Sequence, residues 1–407
     1  MPTWPPQIGV FAVDDGSVQL TWRHLHPGPL ELRVEEVGSV TPGGTYVGTG
    51  HAASHGIDPD RATTVVAAPT SPGAIVLDGL PAGRLLTIRA SGPALGADHV
   101  LPVRTLDALP GAELCRFATL SDLHLGAWRF GQRGTITEQP TPEVLHPQRC
   151  TEAALAEATA WGAERIVVKG DLTNQAYAAH WREYARLMAT SPVPVDALPG
   201  NHDNAHPSSR SNIAPADAVA AFGLSIATPL IVRDLPGVRL VLVDSTQPGL
   251  HEGSVAPVLA ELLDAVAEAD PDGGVIVALH HQLQPHHFPE GWPTGISRRE
   301  SYALLESLGA LHRHVLVTSG HTHRHRRWAH AGVAVTQVGS TKDYPGVWAG
   351  YVVHEGGLRQ VVRRVARPDC LSWTDHSRRA AAGFWRHVAP GRLDARCFNL
   401  PWSVPVR

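Results

Sequence analysis

Five short runs of apolar, largely β-branched residues punctuate the middle of the chain: Phe117 to Leu120, Ile166 to Val168, Val193 to Leu198, Val275 to Leu279 and Val315 to Val317. Each has the length of a buried strand, and the lack of polar alternation predicts strands covered on both faces. Helical spacing occupies the intervals, over Thr151 to Trp161, Ala176 to Met188, Ser254 to Ala269 and Arg299 to Leu311. In the third, Val255, Val258, Leu259, Leu262, Leu263 and Val266 share one face, with Ser254 as the expected N-cap. Leu230 to Arg233 and Val238 to Val243, joined by Asp234-Leu-Pro-Gly, read as a hairpin. Val333 to Val338, Tyr351 to Val353 and Leu358 to Val362 add late strands. This alternation predicts a layered α/β domain over residues 113–365.

The first 110 residues follow another rule. Ser17 to Trp22, Leu30 to Val34, Ala74 to Leu77 and Leu85 to Arg89 alternate with period two between Gly- and Pro-rich turns, which predicts a small all-β sandwich of fibronectin type III kind. Leu106 to Glu113 reads as a linker. Residues 366–407 hold Trp373, Trp385 and Trp402, more apolar surface than a disordered tail carries, so this extension is expected to pack on the body. A length of 407 residues suits about two domains. The 43% hydrophobic and 18% charged fractions are those of a globular protein. No run approaches the roughly 20 apolar residues of a membrane span, and no secretory signal pattern opens the chain, so a cytoplasmic location is expected. A net charge of −4 without a basic block argues against general nucleic-acid binding. Cys115, Cys150, Cys370 and Cys397 lack the spacing of a thiolate metal site and are expected as buried small hydrophobes.

The chemistry sits directly after the five apolar runs. Asp122 and His124 follow the first, Asp171 the second, Asn201 the third, His280 the fourth, and His321 and His323 the fifth. Strands ending on one edge of a sheet deliver their terminal residues to one place, where open α/β sheets bind ligands. Helix capping would explain Asp122, Asp171 or Asn201 singly. Their occurrence together with four histidines reverses that judgement, because two divalent cations about 3.5–4 Å apart require such hard and borderline donors. Gly170, Gly200 and Gly320 precede three of the motifs and suit close backbone approach. His280 and His281 stay open as alternatives, since neighbours on a strand face opposite ways. His202, beside Asn201, is expected near the metals, with the Asp203 carboxylate raising its pKa and fixing its tautomer.

In this order Asp122-Leu-His124, Gly170-Asp171, Gly200-Asn-His-Asp203, His280-His281 and Gly320-His-Thr-His323 resemble the calcineurin-like metallophosphoesterases over about residues 113–365. Gly170-Asp-Leu-Thr173, Gly200-Asn-His-Asp203 and Val243-Asp-Ser-Thr-Gln-Pro-Gly249 look most like the class III cyclic-nucleotide phosphodiesterase group. The resemblance implies a two-sheet sandwich flanked by helices and a dinuclear metal centre of Mn, Fe or Zn. Asp122, His124 and His323 would hold one metal, Asn201, His280 and His321 the second, and Asp171 would bridge. It further implies hydrolysis of a small phosphodiester or phosphomonoester, cyclic nucleotides included, by attack of a bridging hydroxide. His202 would stabilise charge or protonate the leaving oxygen, oriented by Asp203. No Asp-Arg-Gly follows Gly170-Asp171, which disfavours the serine/threonine phosphatases. Asn174 stands where purple acid phosphatases carry a metal-binding tyrosine.

Around these motifs, Trp128, Arg129 and Phe130, the trio Arg324, Arg326 and Arg327, and the run Lys342-Asp-Tyr344 are candidates for the cleft rim, while His286, His287, His325 and His330 are expected at the surface or behind the ligands. A nuclease would need a basic groove that the composition does not advertise. A metal-bound scaffold with a retired site would have lost ligands, and none is missing.

Overall fold

The computed structural model describes residues 6–36, 63–131, 134–139, 142–204, 211–286 and 294–402; His287 lies outside the described residues. The first seven strands are β1 (Gln7–Val13), β2 (Ser17–Arg23), β3 (Leu30–Glu36), β4 (Thr63–Val66), β5 (Gly73–Asp78), β6 (Leu85–Ser91) and β7 (His99–Arg104). They pair antiparallel in two sheets, ordered β1-β2-β5 and β4-β3-β6-β7. Period-two alternation turns Val18, Leu20 and Trp22 of one sheet toward Leu32, Val34, Leu86 and Ile88 of the other, closing a core of their own.

Next come β8 (Glu113–Leu120), a small hairpin of β9 (Arg129–Phe130) and β10 (Ile136–Thr137), then β11 (Ile166–Lys169) and β12 (Val195–Leu198). The later strands are β13 (Leu230–Leu235), β14 (Val238–Val243), β15 (Gly274–Leu279), β16 (Val315–Ser319), β17 (Arg326–His330), β18 (Val333–Gln337), β19 (Val347–His354), β20 (Gly357–Arg364) and β21 (Cys397–Pro401). They form two six-stranded sheets, β12-β11-β8-β19-β20-β21 and β13-β14-β15-β16-β18-β17. The five apolar runs therefore do not share one sheet. β8, β11 and β12 are parallel neighbours in the first, and β15 and β16 are parallel neighbours in the second. The sheets stack face to face through Phe117, Val167, Leu198 and Tyr351 against Leu240, Ile276, Ala278 and Leu316.

Helices cover both outer faces. α1 (His146–Ala160), α2 (Ala178–Met188) and α3 (Pro215–Phe222) pack on the first sheet through Ala154, Trp181 and Ala218. α4 (Leu259–Ala267) and α5 (Arg298–Leu311) pack on the second through Leu262, Val266, Leu305 and Leu308. The resulting α/β fold gives each central strand two apolar neighbours, which is why those runs carry no alternation. Two helix starts differ from expectation. α1 begins at His146 with Pro147 in its first turn, where a missing N–H costs nothing. Pro257 splits the third helical stretch into a 3₁₀ turn, Ala256–Val258, ahead of α4. Glu300, more than Ser254, caps that turn, its Oε1 accepting from the N–H groups of Val255 at 2.6 Å and Ala256 at 3.0 Å.

The final segment lies against the body. α6 (Pro368–Ser377) places Trp373 in the first core, stacked on His146 with ring centroids 3.7 Å apart, and β21 pairs antiparallel with β20. The N-terminal strands meet β20 as well: Gln19 Nε2 donates to the Arg364 carbonyl at 2.9 Å and its Oε1 accepts from the Arg364 N–H at 2.8 Å. All four cysteines are free and buried. No helix among the described residues is long and apolar enough to cross a membrane.

Candidate metal centre

The C-terminal ends of β8, β11, β12, β15 and β16 meet at one edge of the stacked sheets, and the turns that follow them are zipped together. The Asp122 N–H donates to the Gly170 carbonyl at 3.1 Å and the His124 N–H to the Asp171 carbonyl at 2.7 Å. Across the sheets, the His321 N–H donates to Asp122 Oδ1 at 2.9 Å, and the buried Lys169 Nζ donates to Thr318 Oγ1 at 2.9 Å. Asp122, His124, Asp171, His321 and His323 all take left-handed backbone with φ of 55°, 47°, 48°, 66° and 52°. Such angles are uncommon outside glycine and persist where surrounding structure enforces them. The glycines serve approach of another kind: a Cβ on Gly200 would collide with Asp171, and one on Gly320 with Ser121 and Asp122.

Asp122, His124, Asp171 and His323 bring one donor atom each within 4.8 Å of one another, and His280, His281 and His321 do the same beside them. His124 Nε2 lies 3.3 Å from Asp171 Oδ2 and 3.2 Å from His323 Nε2, which in turn lies 3.4 Å from Asp122 Oδ1. On the other side His280 Nε2 stands 3.4 Å from Asp171 Oδ1, 3.2 Å from Asn201 Oδ1 and 3.0 Å from His321 Nδ1. Asp171 thus faces both groups. All seven residues predicted from the strand ends come together. His281 takes a different neighbour, its Nδ1 2.9 Å from Ser245 Oγ.

The outer nitrogens of these rings fix what the inner ones can do. His280 Nδ1 is 3.0 Å from the Lys169 carbonyl, His321 Nε2 is 3.0 Å from the Thr294 carbonyl, and His323 Nδ1 is 2.8 Å from Asp343 Oδ2. Each outer nitrogen must carry its hydrogen to donate to oxygen, so the inner lone pairs of His280, His321 and His323 converge on the carboxylates. Nitrogens and carboxylates facing each other at hydrogen-bond distance call for a positive charge between them, a proton or a cation. The electrostatics agree. Burial works against ionised rings, yet Asp171 and then Asp122 hold His280 up at about 9, and Asp343 and Asp122 hold His323 up at about 10. Burial keeps His124 well below its usual range and pushes His321 down to about 3, leaving both as neutral donors. Asp171 stays ionised against burial through His280 and its other histidine neighbours. The donor set therefore fits divalent cations.

His202 lies beside this cluster, its ring centroid 4.6 Å from that of His124 and its N–H 2.9 Å from Asp171 Oδ1. The expected orienting role of Asp203 is corrected. His202 Nδ1 is 2.9 Å from the Asn174 carbonyl. The Asp203 carboxylate accepts instead from the N–H groups of Leu172 at 2.9 Å, Thr173 at 2.7 Å and Gly200 at 2.9 Å, and so ties the turn after β11 to that after β12. Burial and the nearby Asp171 raise its carboxyl to about 6. Of the rim candidates, Phe130 stacks on His323 with centroids 6.0 Å apart, and Trp128 is 51% exposed with the Arg129 guanidinium 4.8 Å from its ring centroid. Asp343 reaches the cluster, whereas Arg327 packs over Phe398 at 3.9 Å. His325 is buried, not at the surface, with its Nδ1 accepting from the Gly339 N–H at 3.3 Å. Sequence reasoning passed over Lys169, whose charge at the end of an apolar run was the available signal, and the carbonyls of Asn174 and Thr294, which leave none.

No protein-family model matches the chain. It is similar to a probable cyclic nucleotide phosphodiesterase of Rhodococcus erythropolis, 27% identical over 184 residues that cover 44% of this chain and 57% of the relative. It is also similar to the 3′,5′-cyclic adenosine monophosphate phosphodiesterase CpdA of Vibrio vulnificus, 23% identical over 54% of this chain and 74% of that protein. Both likenesses agree with the resemblance of the strand-end motifs to the calcineurin-like metallophosphoesterases. The match to the Rhodococcus relative spans little more than half of that protein's length. Among solved structures, the purple acid phosphatase PPD1 of yellow lupin superposes over 89% of this chain and 72% of its own, with 12% identity and a TM-score of 0.44.

Proposed function

We propose that this chain is a metallophosphoesterase that hydrolyses a small phosphoester, a phosphodiester or phosphomonoester with cyclic nucleotides as the first class to test, at a centre of two divalent cations. The observation that supports this most is the inward convergence of imidazole lone pairs and two carboxylates from both sheets, with the outer nitrogens already committed to protein oxygens. Asp122, His124 and His323 would hold one cation, Asn201, His280 and His321 the other, and Asp171 would serve both. Oxygen and imidazole donors of this kind suit Mn, Fe or Zn. When bound, the pair would supply Lewis-acid charge for the phosphoryl oxygens and lower the pKa of an attacking water.

The chain's own residues supply the rest. His202, whose Nδ1–H donates to the Asn174 carbonyl, would as the imidazolium carry a second proton on Nε2 to give to the departing alkoxide, and takes the role of general acid. Asp203 positions it indirectly by fixing the turns on either side. The curated relatives' names are what point to cyclic nucleotides. We further propose a fibronectin type III-like unit over residues 1–110, supported by the strand orders β1-β2-β5 and β4-β3-β6-β7, a catalytic unit over 113–365 and an extension over 366–407.

Purified protein supplied with Mn²⁺ should hydrolyse a chromogenic phosphodiester or cyclic AMP, and chelation or Asp171→Ala should reduce the rate by at least about 10³-fold, the scale lost when a central charge-stabilising group goes. Hydrolysis indifferent to chelator would sink the proposal.

A further inference from the structure

Far from the strand ends, a cavity of ≈ 580 Å³ opens where the N-terminal sandwich meets the C-terminal segment. That volume is in the range of small-molecule sites, about 300–1,000 Å³. Its wall is unusual in charge: Arg23, Arg378, Arg379 and Arg386 line it, and the single lining carboxylate among the described residues is Asp375. Asp375 is already engaged twice, 2.5 Å from Arg23 Nε and 3.3 Å from Arg378 Nη1. Arg386 Nε donates to His387 Nε2 at 2.9 Å, a contact that adds no negative charge. The buried Nε atoms of Arg23 and Arg378 find no aligned hydrogen-bond acceptor among the described residues, the first for all its closeness to Asp375. Four like charges gathered around one cavity repel one another, and one carboxylate does not balance them.

The backbone there is also strained. Of ten non-glycine residues with positive φ among those described, five belong to the metal cluster and two line this cavity, His24 at 55° and Ala382 at 52°. Strain of this kind collects at ligand clamps as well as catalytic sites. The guanidinium fork matches phosphate oxygens in pairs, and among the described residues no Phe, Tyr or Trp lines the wall for a base to stack on. We propose that this cavity binds a compact, multiply charged phosphate anion, separately from the metal centre. Such an anion would balance the excess positive charge of the wall and hold the sandwich against the C-terminal segment.

Titration calorimetry of the intact chain with inorganic pyrophosphate in excess chelator tests this without contribution from bound cations. One binding site is expected. The double variant Arg379→Gln, Arg386→Gln should bind at least about tenfold more weakly, the loss of one charge-assisted contact or more, with the melting temperature of the free protein unchanged. No binding at millimolar pyrophosphate, or wild-type affinity in the double variant, overturns the site. Hydrogen exchange on the unmodified protein decides the matter even if that variant folds poorly. Pyrophosphate should slow exchange in residues 23–24 and 375–387, and protection confined to 122–124 and 321–323 would place the anion in the metal centre and reject the proposal.

Discussion

The histidine rings that line the metal cluster rest on different partners, and His202 shows most clearly how much a single residue can be tested alone. Its Nδ1 rests on the Asn174 carbonyl, not on a ligand ring. His202→Ala should therefore keep full metal content by elemental analysis while losing about 10²–10⁴ in kcat, most for substrates with poor leaving groups. Loss of metal in that variant would transfer His202 to the ligand set. The same residues show what a sequence reveals about a site. Asp122, His124, Asp171, Asn201, His280, His321 and His323 were legible because each stands within a few residues of the end of an apolar run, and the run fixes where the chain emerges. The role of Asp203 was not, because a carboxylate next to a histidine in sequence has no need to be next to it in space. In a 3₁₀ turn spanning Asn201–Asp203 the neighbouring side chains diverge.

At the scale of elements, α1 carries one carboxylate that ought to weaken it. Glu157 accepts from the Ala366 N–H at 2.7 Å and from Trp348 Nε1 at 3.2 Å, but burial pushes its pKa up to about 7 against those hydrogen bonds. An acid whose folded pKa lies above its unfolded value of 4.5 binds more protons in the folded state between the two. Stability from this group is thus complete below about pH 4.5 and declines as pH rises through 7. Denaturant titrations should show wild-type stability falling across that window with a slope of up to about 1.4 kcal/mol per pH unit, and Glu157→Gln should flatten the fall. An unchanged pH profile in the variant would locate the loss elsewhere. The strands under α1 were readable from composition because both faces are covered. Their division between two sheets was not, since a buried run looks the same in either. Pro257 cut short the third helix despite an unbroken apolar stripe, and β21 was missed because Cys397–Pro401 is short and owes its pairing to β20.

In the whole molecule, the sandwich is bound to the catalytic layers by charge as well as by β-strand contact. Arg359 on β20, 3% exposed, pairs with Asp15 at 2.7 Å and Asp14 at 3.2 Å and donates to Asn399 Oδ1 at 3.0 Å, so three parts of the chain meet on one guanidinium. Arg359→Ala should destabilise the protein by about 3 kcal/mol, the lower end for breaking a buried pair because Asp15 keeps 31% of its surface. Urea unfolding measures this, and a change under about 1 kcal/mol, the scale of an exposed pair, would show that the two aspartates relax into water at little cost. The stacking of two sheets carries one more consequence. Asp122 and Asp171 ride on one slab and His280, His321 and His323 on the other, stitched by the His321 N–H on Asp122. A slip of one slab by a single residue, about 3.3 Å, equals the whole spacing between these donors. The pocket is consequently a vernier on the alignment of the two halves: whatever lets them slide dismantles the chemistry before it unfolds the chain.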